Sequence, residues 1–278
     1  MKPFSRRIKT LIPTLILAVA VTTLTGCMSK STKKGSVGIE REQLLLISSE
    51  EINNGGKQAY ANILEESKEK KILNKNAEMV QRVRKISKRI IPQTAVFRAD
   101  APKWAWEVNV IDSDELNAWC MPGGKIAFYS GIINKLKLTD AEIAAIMGHE
   151  IAHALREHGR ERASQQSVTQ VGLSAIGMIT GMGSAAMDMT AMAANVTLTL
   201  PNSRTHEIEA DRMGVELAAR AGYNPYAAVN VWKKMAQESK SGNPPEILST
   251  HPSHKNRISD LNKYAKRVYP IFQKTVRR

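Results

Sequence analysis

Residues 148–153 constrain the fold of this chain more than any other stretch. They read Gly-His-Glu-Ile-Ala-His, an HExxH motif, within a strongly helical run from residue 139 to about residue 163. Residues four apart lie on one face of a helix, so His149 and His153 can direct two imidazoles at one point. Neutral imidazole is a preferred zinc ligand. The motif therefore predicts a helix that supplies two ligands of a metal site.

The glutamate of the motif predicts the chemistry of that site. A catalytic zinc site has three protein ligands and leaves one position for water. Glu150 is placed to take a proton from that water, as in metal-assisted hydrolysis. The alternative is a chance pairing of His and Glu on a solvated helix. The motif alone does not decide between the two, so the rest of the chain has to be considered.

The start of the chain predicts export and lipid attachment. A basic segment precedes the uncharged apolar stretch Leu11–Leu24, which leads to Cys27. This pattern is typical of a lipoprotein signal peptide over residues 1–26, with Cys27 lipidated and residues 27–38 as a flexible tether. The alternative is an ordinary signal peptide with a chance cysteine. Met28 is not the Asp linked to inner-membrane retention, so we expect an outer-membrane protein that faces the periplasm.

Net charge and cysteine content limit the classes of binding partner and the disulfides that we expect for this chain. The formal net charge is +14, and a basic protein is attracted to anionic lipid headgroups. The export pattern, and the lack of a basic stripe with interleaved aromatics, argue against a nucleic-acid partner. Cys27 and Cys120 are the only cysteines. If Cys27 carries lipid, Cys120 has no internal disulfide partner, and we expect it to be a small buried residue.

Hydrophobic periodicity predicts helices and a short hairpin around the motif. Helical patterns cover residues 39–69, with a break at residues 53–56, and residues 76–91. Strands are predicted over residues 104–111, 117–121 and 125–130, the last two joined by a turn at Pro122-Gly123-Gly124. An exposed edge here would bind an extended peptide as an added strand, and a plain structural hairpin is the alternative.

A later helix, from Asn202 or Ser203 to about Ala221, offers the third metal ligand. Glu207 and Asp211 share one of its faces, whereas Glu209 points roughly 200° away from Glu207 at about 100° per residue. The arrangement suggests Glu207 on the metal and Asp211 behind it, accepting an N–H from a ligand histidine. Spacing alone does not separate Glu207 from Glu209, and a solvated charged face is the alternative.

The remaining histidines receive lesser roles. Gly159 stands where one subclass of HExxH enzymes has its third histidine, so that subclass is excluded. His158 lies nine residues past His149 and is expected to be a solvated residue of the same helix. His251, before Pro252, would either stabilise an oxyanion or occupy the open metal position as a latch, with an ordinary cap as the alternative.

Two further segments are assigned by composition. Ser164–Met187 carries no charge, and its Gly and Ser residues favour a mobile hairpin or lid over a membrane span. Arg257 is expected to form a salt bridge. Residues 39–278 then form one domain, divided into a helical N-terminal part (39–95), a catalytic core (96–265) and a basic tail (266–278).

Several short motifs recur together in one known family. They are Asn117-Ala118, Gly123-Gly124-Lys125-Ile126, Tyr129-Ser130-Gly131, Gly148-His149-Glu150, Glu207 with Asp211, and Thr250-His251-Pro252. Over about residues 40–265 the chain resembles the HtpX-like and CAAX-prenyl-protease-type zinc metallopeptidases, and among them the periplasmic lipoprotein branch (LoiP-like, YggG). With the periodicity, the resemblance implies an α+β fold: a mostly helical, zincin-like (gluzincin) domain with a small β-sheet beside the HExxH helix.

The resemblance also implies a site and an activity. It places one Zn²⁺ per chain on His149, His153 and Glu207, with Glu150 and Asp211 as catalytic residues. It implies an endopeptidase that acts on unfolded or misassembled envelope proteins, with the membrane and the outer-membrane assembly machinery as further partners. An assembly factor or chaperone-like lipoprotein with latched or little peptidase activity is the alternative. A purely structural zinc site is a third possibility, but it has no need of Glu150.

Overall fold

The HExxH helix lies among other helices and against a three-stranded sheet. The computed structural model describes residues 28–180, 188–242, 244–253 and 256–277. Its helices are α1 (Ser49–Glu69), α2 (Ala77–Ile90), α3 (Ser130–Lys135), α4 (Asp140–Leu155), α5 (His158–Thr180), α6 (Met189–Leu198), α7 (Arg204–Arg220), α8 (Ala227–Lys240), α9 (Ile247–Thr250) and α10 (Arg257–Val276), with short 3-10 helices at Ile91–Val96 and Ala101–Lys103. The predicted α+β class is confirmed.

The strands form two small sheets. Strand β1 (Met28–Ser29) pairs antiparallel with β2 (Gln43–Leu44). In the other sheet the order is β3 (Glu107–Ile111), β5 (Lys125–Tyr129) and β4 (Ala118–Met121), with β3 parallel and β4 antiparallel to β5. The predicted hairpin is confirmed, and β4 is an edge strand of the sheet as far as the chain is described. The first predicted strand is shorter than expected, because residues 104–106 form a tight turn in which the Trp106 N–H donates to the Trp104 main-chain oxygen at 2.8 Å.

The HExxH helix, α4, begins where the sequence predicts and ends earlier. Thr139 and Glu142 form a capping box, with the Thr139 side chain accepting from the Glu142 N–H and the Glu142 carboxylate accepting from the Thr139 N–H. The helix stops at Leu155, because Glu157 adopts a positive φ of 52°. A new helix, α5, starts at His158. The expectation of one helix to about residue 163 is therefore wrong, and the bend decides where His158 lies.

Two glycines set the distance between α4 and α7. A Cβ atom at Gly148 would lie 2.8 Å from the main-chain oxygen of Gly214, and one at Gly214 would lie 2.8 Å from the main-chain nitrogen of His149. Real Cβ contacts do not reach such distances, so the crossing requires glycine on both helices. The close approach brings the carboxylates of α7 to the histidines of α4.

The Asn-Asn-Gly-Gly stretch does not break α1, which is a correction to the prediction. Helix α1 runs without interruption through residues 53–56, while residues 39–48 are not helical. Gly55 and Gly56 are buried, and a Cβ at Gly55 would lie 2.3 Å from the main-chain oxygen of Met189. Here the glycines permit close packing against neighbouring main chain rather than ending a helix.

The N-terminal segment packs against the domain, where a flexible tether was predicted for residues 27–38. Val37 is buried, and the main-chain N–H of Lys33 donates to the main-chain oxygen of Phe97. Farther on, Arg41 pairs with Glu161 and Glu209, at 2.6 and 3.0 Å. The segment is thereby fixed to α5 and α7, where the half-buried Arg41 pairs with two buried carboxylates.

Several predictions about the ends and surfaces of the chain stay predictions. The signal peptide and Cys27 lie outside the described residues. Of the apolar segment 164–187, residues up to Thr180 continue α5, and residues 181–187 lie outside the described part, so the proposed lid is untested. None of the described helices combines the length and the apolar character that crossing a membrane requires. Cys120 is buried and free, as expected.

We expect Gly214→Ala to lower the free energy of unfolding by about 1–3 kcal/mol, because overpacking at the crossing outweighs the gain of about 1 kcal/mol in helix propensity. The control is Gly159→Ala in α5, where a Cβ would lie 3.4 Å from Val196, an acceptable contact. Urea unfolding of both variants measures the difference. Equal stabilities of the two variants would contradict the role given to the crossing.

Candidate metal centre

Four buried ligand atoms converge at the crossing of α4 and α7. They belong to His149, His153, Glu207 and His251, and all lie within 4.8 Å of one another. The Nε2 atom of His149 is 3.1 Å from the Nε2 of His153 and 3.1 Å from the Nδ1 of His251. The Oε1 atom of Glu207 is 3.3 Å from His153 Nε2 and 3.1 Å from His251 Nδ1. We call this set the metal centre.

The distances and the atom types fit a tetrahedral divalent metal. With bonds of about 2.0–2.1 Å, the ligands of tetrahedral zinc lie about 3.4 Å apart. The separations above are of this size. Burial holds the pKa of His153 well below its usual value, so its imidazole is neutral and offers a lone pair. Lone pairs and a carboxylate that face one point are the donor set of a cation site, and three imidazoles with one carboxylate suit zinc or a similar ion.

Asp211 and Arg257 support the centre from the His149 side. The Oδ1 atom of Asp211 accepts from His149 Nδ1 at 2.9 Å, which leaves Nε2 free for the metal. Arg257 is fully buried and contacts both Asp211, at 2.9 Å, and Glu207, at 2.7 Å. Its guanidinium also stacks on Trp232 at 3.5 Å. The salt bridge expected of Arg257 is confirmed, and its two partners are carboxylates of the metal centre.

His158 and Glu209 support the centre from the other side, which corrects the sequence interpretation. His158 is buried, and its Nδ1 lies 2.8 Å from the Nδ1 of His153. Its Nε2 lies 2.9 Å from Glu209, which is held in turn by Arg156. If Glu209 accepts from Nε2–H, His158 Nδ1 is the acceptor for His153. The bend at residues 156–157 brings His158 back towards the site, and linear spacing contained no sign of it.

Burial and charge shape the remaining groups of the centre. Burial raises the pKa of the Glu150 carboxyl, although His251 and His149 oppose the shift. Burial opposes ionisation of Glu207, but His251 and Arg257 outweigh it and hold the pKa of that carboxyl well below its usual value. The Nε2 atom of His251 lies 3.6 Å from Glu150. Glu150 is thus beside the ligands without being one of them.

Cavities lie on both sides of Glu150. One has a volume of about 30 Å³ and is mainly apolar; we call it the apolar cavity. Its wall includes Val231, Trp232 and Leu261. The other, also of about 30 Å³, lies beside His153 and includes Cys120 of the edge strand β4; we call it the polar cavity. Glu150 therefore lies in the wall of two small cavities.

The predicted site residues come together in this arrangement. His149, His153, Glu207 and His251 each direct one possible ligand atom at the same point. Glu150 lies beside them, and Asp211 is hydrogen-bonded to His149. Glu209, left open as a third ligand, instead faces His158. The catalytic and ligand roles stay predictions. Cys27 lies outside the described residues.

Comparison with known proteins identifies the family. The family profile described as Peptidase family M48 matches residues 79–265, which include every residue of the metal centre. The chain belongs to peptidase family M48. M48 peptidases depend on a metal, and the four converging atoms are where this chain would hold it. The prediction of a metallopeptidase is confirmed at the level of the family.

Named relatives of this M48 chain come from two settings. "Metalloendopeptidase OMA1, mitochondrial" of Bos taurus is 32% identical over 237 residues, or 80% of this chain and 44% of that protein. "Mitochondrial metalloendopeptidase OMA1" of Arabidopsis thaliana is 36% identical over 156 residues, or 55% of this chain and 30% of that protein. "Beta-barrel assembly-enhancing protease" of Escherichia coli (strain K12) is 29% identical over 185 residues, or 63% of this chain and 38% of that protein. The chain spans less than half the length of each.

We expect His158→Phe to weaken zinc binding by about 10–100-fold, because His153 then loses the group that orients its ring. Phe has a similar shape and keeps the stacking on His206, whose ring lies 4.3 Å away. The control is His206→Phe, which removes a partner of Glu161 and no contact with a ligand. Competition with a chelator measures both dissociation constants. Equal affinities in the two variants would rule out this role of His158.

Proposed function

We propose that this chain is a zinc-dependent endopeptidase of the bacterial cell envelope, which hydrolyses peptide bonds in unfolded or misassembled envelope proteins. The observation that carries the proposal is the position of Glu150. This buried carboxylate lies beside four converging ligand atoms and between two cavities, with no ligand role of its own. A structural metal site has no use for such a group, whereas a hydrolase requires it.

The residues of the centre have separable tasks in this mechanism. A bound zinc ion would supply Lewis-acid activation of the scissile carbonyl and of water. Glu150 accepts the proton of the attacking water and passes it to the leaving amine. Asp211 keeps the His149 ring in the tautomer that offers Nε2. Arg257 balances the two carboxylates it contacts, so that neither is a buried unpaired charge.

His251 determines whether a substrate can reach the metal. Zinc sites with four protein ligands are closed, and catalytic sites keep one position open. Its Nδ1 takes the fourth position here, so the arrangement is that of a latched form. In the active form His251 moves aside, and its ring, which lies next to Glu150, becomes a donor for the developing oxyanion.

The cellular setting is inferred from the first residues of the chain. A basic segment, an apolar stretch and Cys27 support a lipoprotein anchored in the outer membrane and facing the periplasm. The Escherichia coli relative has beta-barrel assembly in its name, which supports a partner in the outer-membrane assembly machinery. The names of the OMA1 relatives place those proteins in mitochondria, so the envelope assignment depends on the leader. We propose no nucleic-acid partner.

A second candidate is an envelope assembly factor or chaperone-like lipoprotein with little peptidase activity. The observation that favours it is His251 in the fourth ligand position. A protein that remains latched would bind unfolded chains in the cavities and rarely cut them. The two candidates differ in whether function requires Glu150.

The test is cleavage of an unfolded, casein-like substrate by protein lacking residues 1–27, with wild type beside Glu150→Gln and the metal content of both measured. We expect about one zinc in each, because Glu150 is not a ligand. We expect the variant to cleave about 10²–10⁴-fold more slowly, since the proton acceptor is lost.

The outcomes separate the candidates. Zinc in both proteins with cleavage by neither would favour the latched assembly factor, and His251→Ala should then restore cleavage if the latch alone is responsible. Protein purified without chelator that carries no stoichiometric metal would contradict both readings. Equal cleavage by wild type and Glu150→Gln would remove the role given to Glu150.

A further inference from the structure

The polar cavity holds buried polar atoms that the mechanism does not use. It lies on the His153 side of the metal centre, between the edge strand β4 and helices α5 and α6. Two of its wall residues, Arg162 of α5 and Asn202 at the start of α7, have side-chain atoms with unmet hydrogen-bonding capacity. A buried polar group without a partner is costly, so such atoms at a cavity wall point to a ligand.

Arg162 brings an unpaired positive charge to this wall. Its Nε and Nη1 atoms are buried and lack hydrogen-bond partners among the residues that the structure describes. Its Nη2 donates to the main-chain oxygen of Val196, which fixes the guanidinium against α6. Burial lowers the pKa of Arg162 to about 10, which leaves the side chain cationic at neutral pH.

The carboxylates nearest to Arg162 on α5 and at its start are taken by other cations. Glu157 pairs with Arg160 at 2.7 Å, and Glu161 pairs with Arg41 at 2.6 Å. Neither forms an ion pair with Arg162. Of these two arginines on one helix, Arg160 has an ion-pair partner and Arg162 has none within the part of the chain that the structure describes.

Among the residues that the structure describes, no carboxylate of the metal centre forms an ion pair with Arg162. Glu207 and Asp211 both pair with Arg257, at 2.7 and 2.8 Å. The charges of Glu150 and Glu207 act on Arg162 at longer range and raise its pKa against the effect of burial. The Nε and Nη1 atoms of Arg162 are left without a hydrogen-bond partner in the wall of the polar cavity.

Asn202 supplies an acceptor at the same wall. Its main-chain nitrogen and its Nδ2 both donate to the main-chain oxygen of Thr250, at 2.8 and 3.1 Å. Because the amide nitrogen must face that carbonyl, the Oδ1 atom is the one left over, and it is buried without a partner in the described part of the chain. An N–H group of a peptide main chain would satisfy it.

We propose that Arg162 and Asn202 form a substrate subsite on the His153 side of the metal centre, which takes an Asp or Glu side chain of an extended peptide. The acidic side chain pairs with Arg162, and a neighbouring main-chain N–H donates to Asn202. The subsite rests on the proposed peptidase function, because it names the substrate class of the same site. It predicts a preference for acidic sequences.

The test is peptide binding to the zinc-loaded full chain in detergent, carrying Glu150→Gln to prevent cleavage. Three fluorescein-labelled Ala/Ser peptides carry Glu, Gln or Lys at every third position, so that any register offers one of these residues to the subsite. Fluorescence anisotropy in about 0.15 M salt, where long-range attraction is screened, gives each dissociation constant. The ratio of two constants from one preparation does not depend on the folded fraction.

We expect the Glu peptide to bind about tenfold more tightly than the Gln peptide, and the Lys peptide most weakly, because a charge-assisted hydrogen bond is gained or lost. Adding Arg162→Gln should bring the dissociation constants of the Glu and Gln peptides close to each other. Adding Arg162→Lys should retain a preference for the Glu peptide. Arg160→Gln is the matched control. Arg160 lies in the wall of the same cavity and carries the same charge, but its guanidinium already pairs with Glu157 at 2.7 Å. With Arg160→Gln, the ratio of the dissociation constants of the Glu and Gln peptides should match that of the Glu150→Gln protein with both arginines intact.

Three results would overturn the proposal: equal binding of the Glu and Gln peptides, a preference that survives Arg162→Gln, or an equal loss in the Arg160→Gln control. Cleavage of the same peptides by protein with Glu150 intact is measured separately. Acidic preference without cleavage would keep the subsite and remove the peptidase function. Cleavage without acidic preference would keep the peptidase function and remove the subsite.

Discussion

The close crossing of α4 and α7 is the constraint on which the site depends. Gly148 and Gly214 let the two main chains approach to a distance that no side chain would permit. Two of the candidate ligands come from one helix and a third from the other, so the separation of the helices sets how close these ligand atoms lie. Metal sites need ligands held within a fraction of an ångström, and packed helices provide that better than loops do.

The second requirement is that buried charged groups be paired. The fold meets it with partners for the ligand histidines and further partners behind those. Each ligand histidine of α4 has a partner behind it, Asp211 for His149 and His158 for His153. Behind these lie Arg257 on one side, and on the other Glu209 with its own arginine partners. The N-terminal segment takes part through Arg41, so a region that looks like a linker in sequence belongs to the support of the centre. This continuity explains why so many ionisable groups are buried near one point without an unpaired charge at the ligands.

The features that the sequence predicts correctly are those that depend on the local spacing of residues. The HExxH helix with its capping box, the hairpin and the shared face of Glu207 and Asp211 all follow from periodicity and turn chemistry. The bend after Leu155 did not, because a positive φ at a non-glycine residue such as Glu157 has no local signature. His158 was therefore placed on the wrong helix and given a solvated role.

The helix break predicted at residues 53–56 was the other error, and it came from the glycines. The pair Gly55-Gly56 reads as a break when only local propensity is considered, since glycine weakens an isolated helix. Tertiary packing reverses the conclusion, because main chain from α6 lies where a side chain would be. His251 was predicted to act at the metal and Arg257 to form a salt bridge. Their contact with Glu207 was not predicted, because it joins segments far apart in sequence.

X-ray absorption of the zinc-loaded protein tests the central claim most directly. The account predicts four nitrogen or oxygen neighbours at about 2.0–2.1 Å, with the multiple scattering of three imidazoles and no sulfur. In His251→Ala one imidazole should disappear while zinc remains bound. A sulfur neighbour at about 2.3 Å, which only a cysteine such as Cys120 or a methionine would supply, or a shell with fewer than two imidazoles would contradict the account.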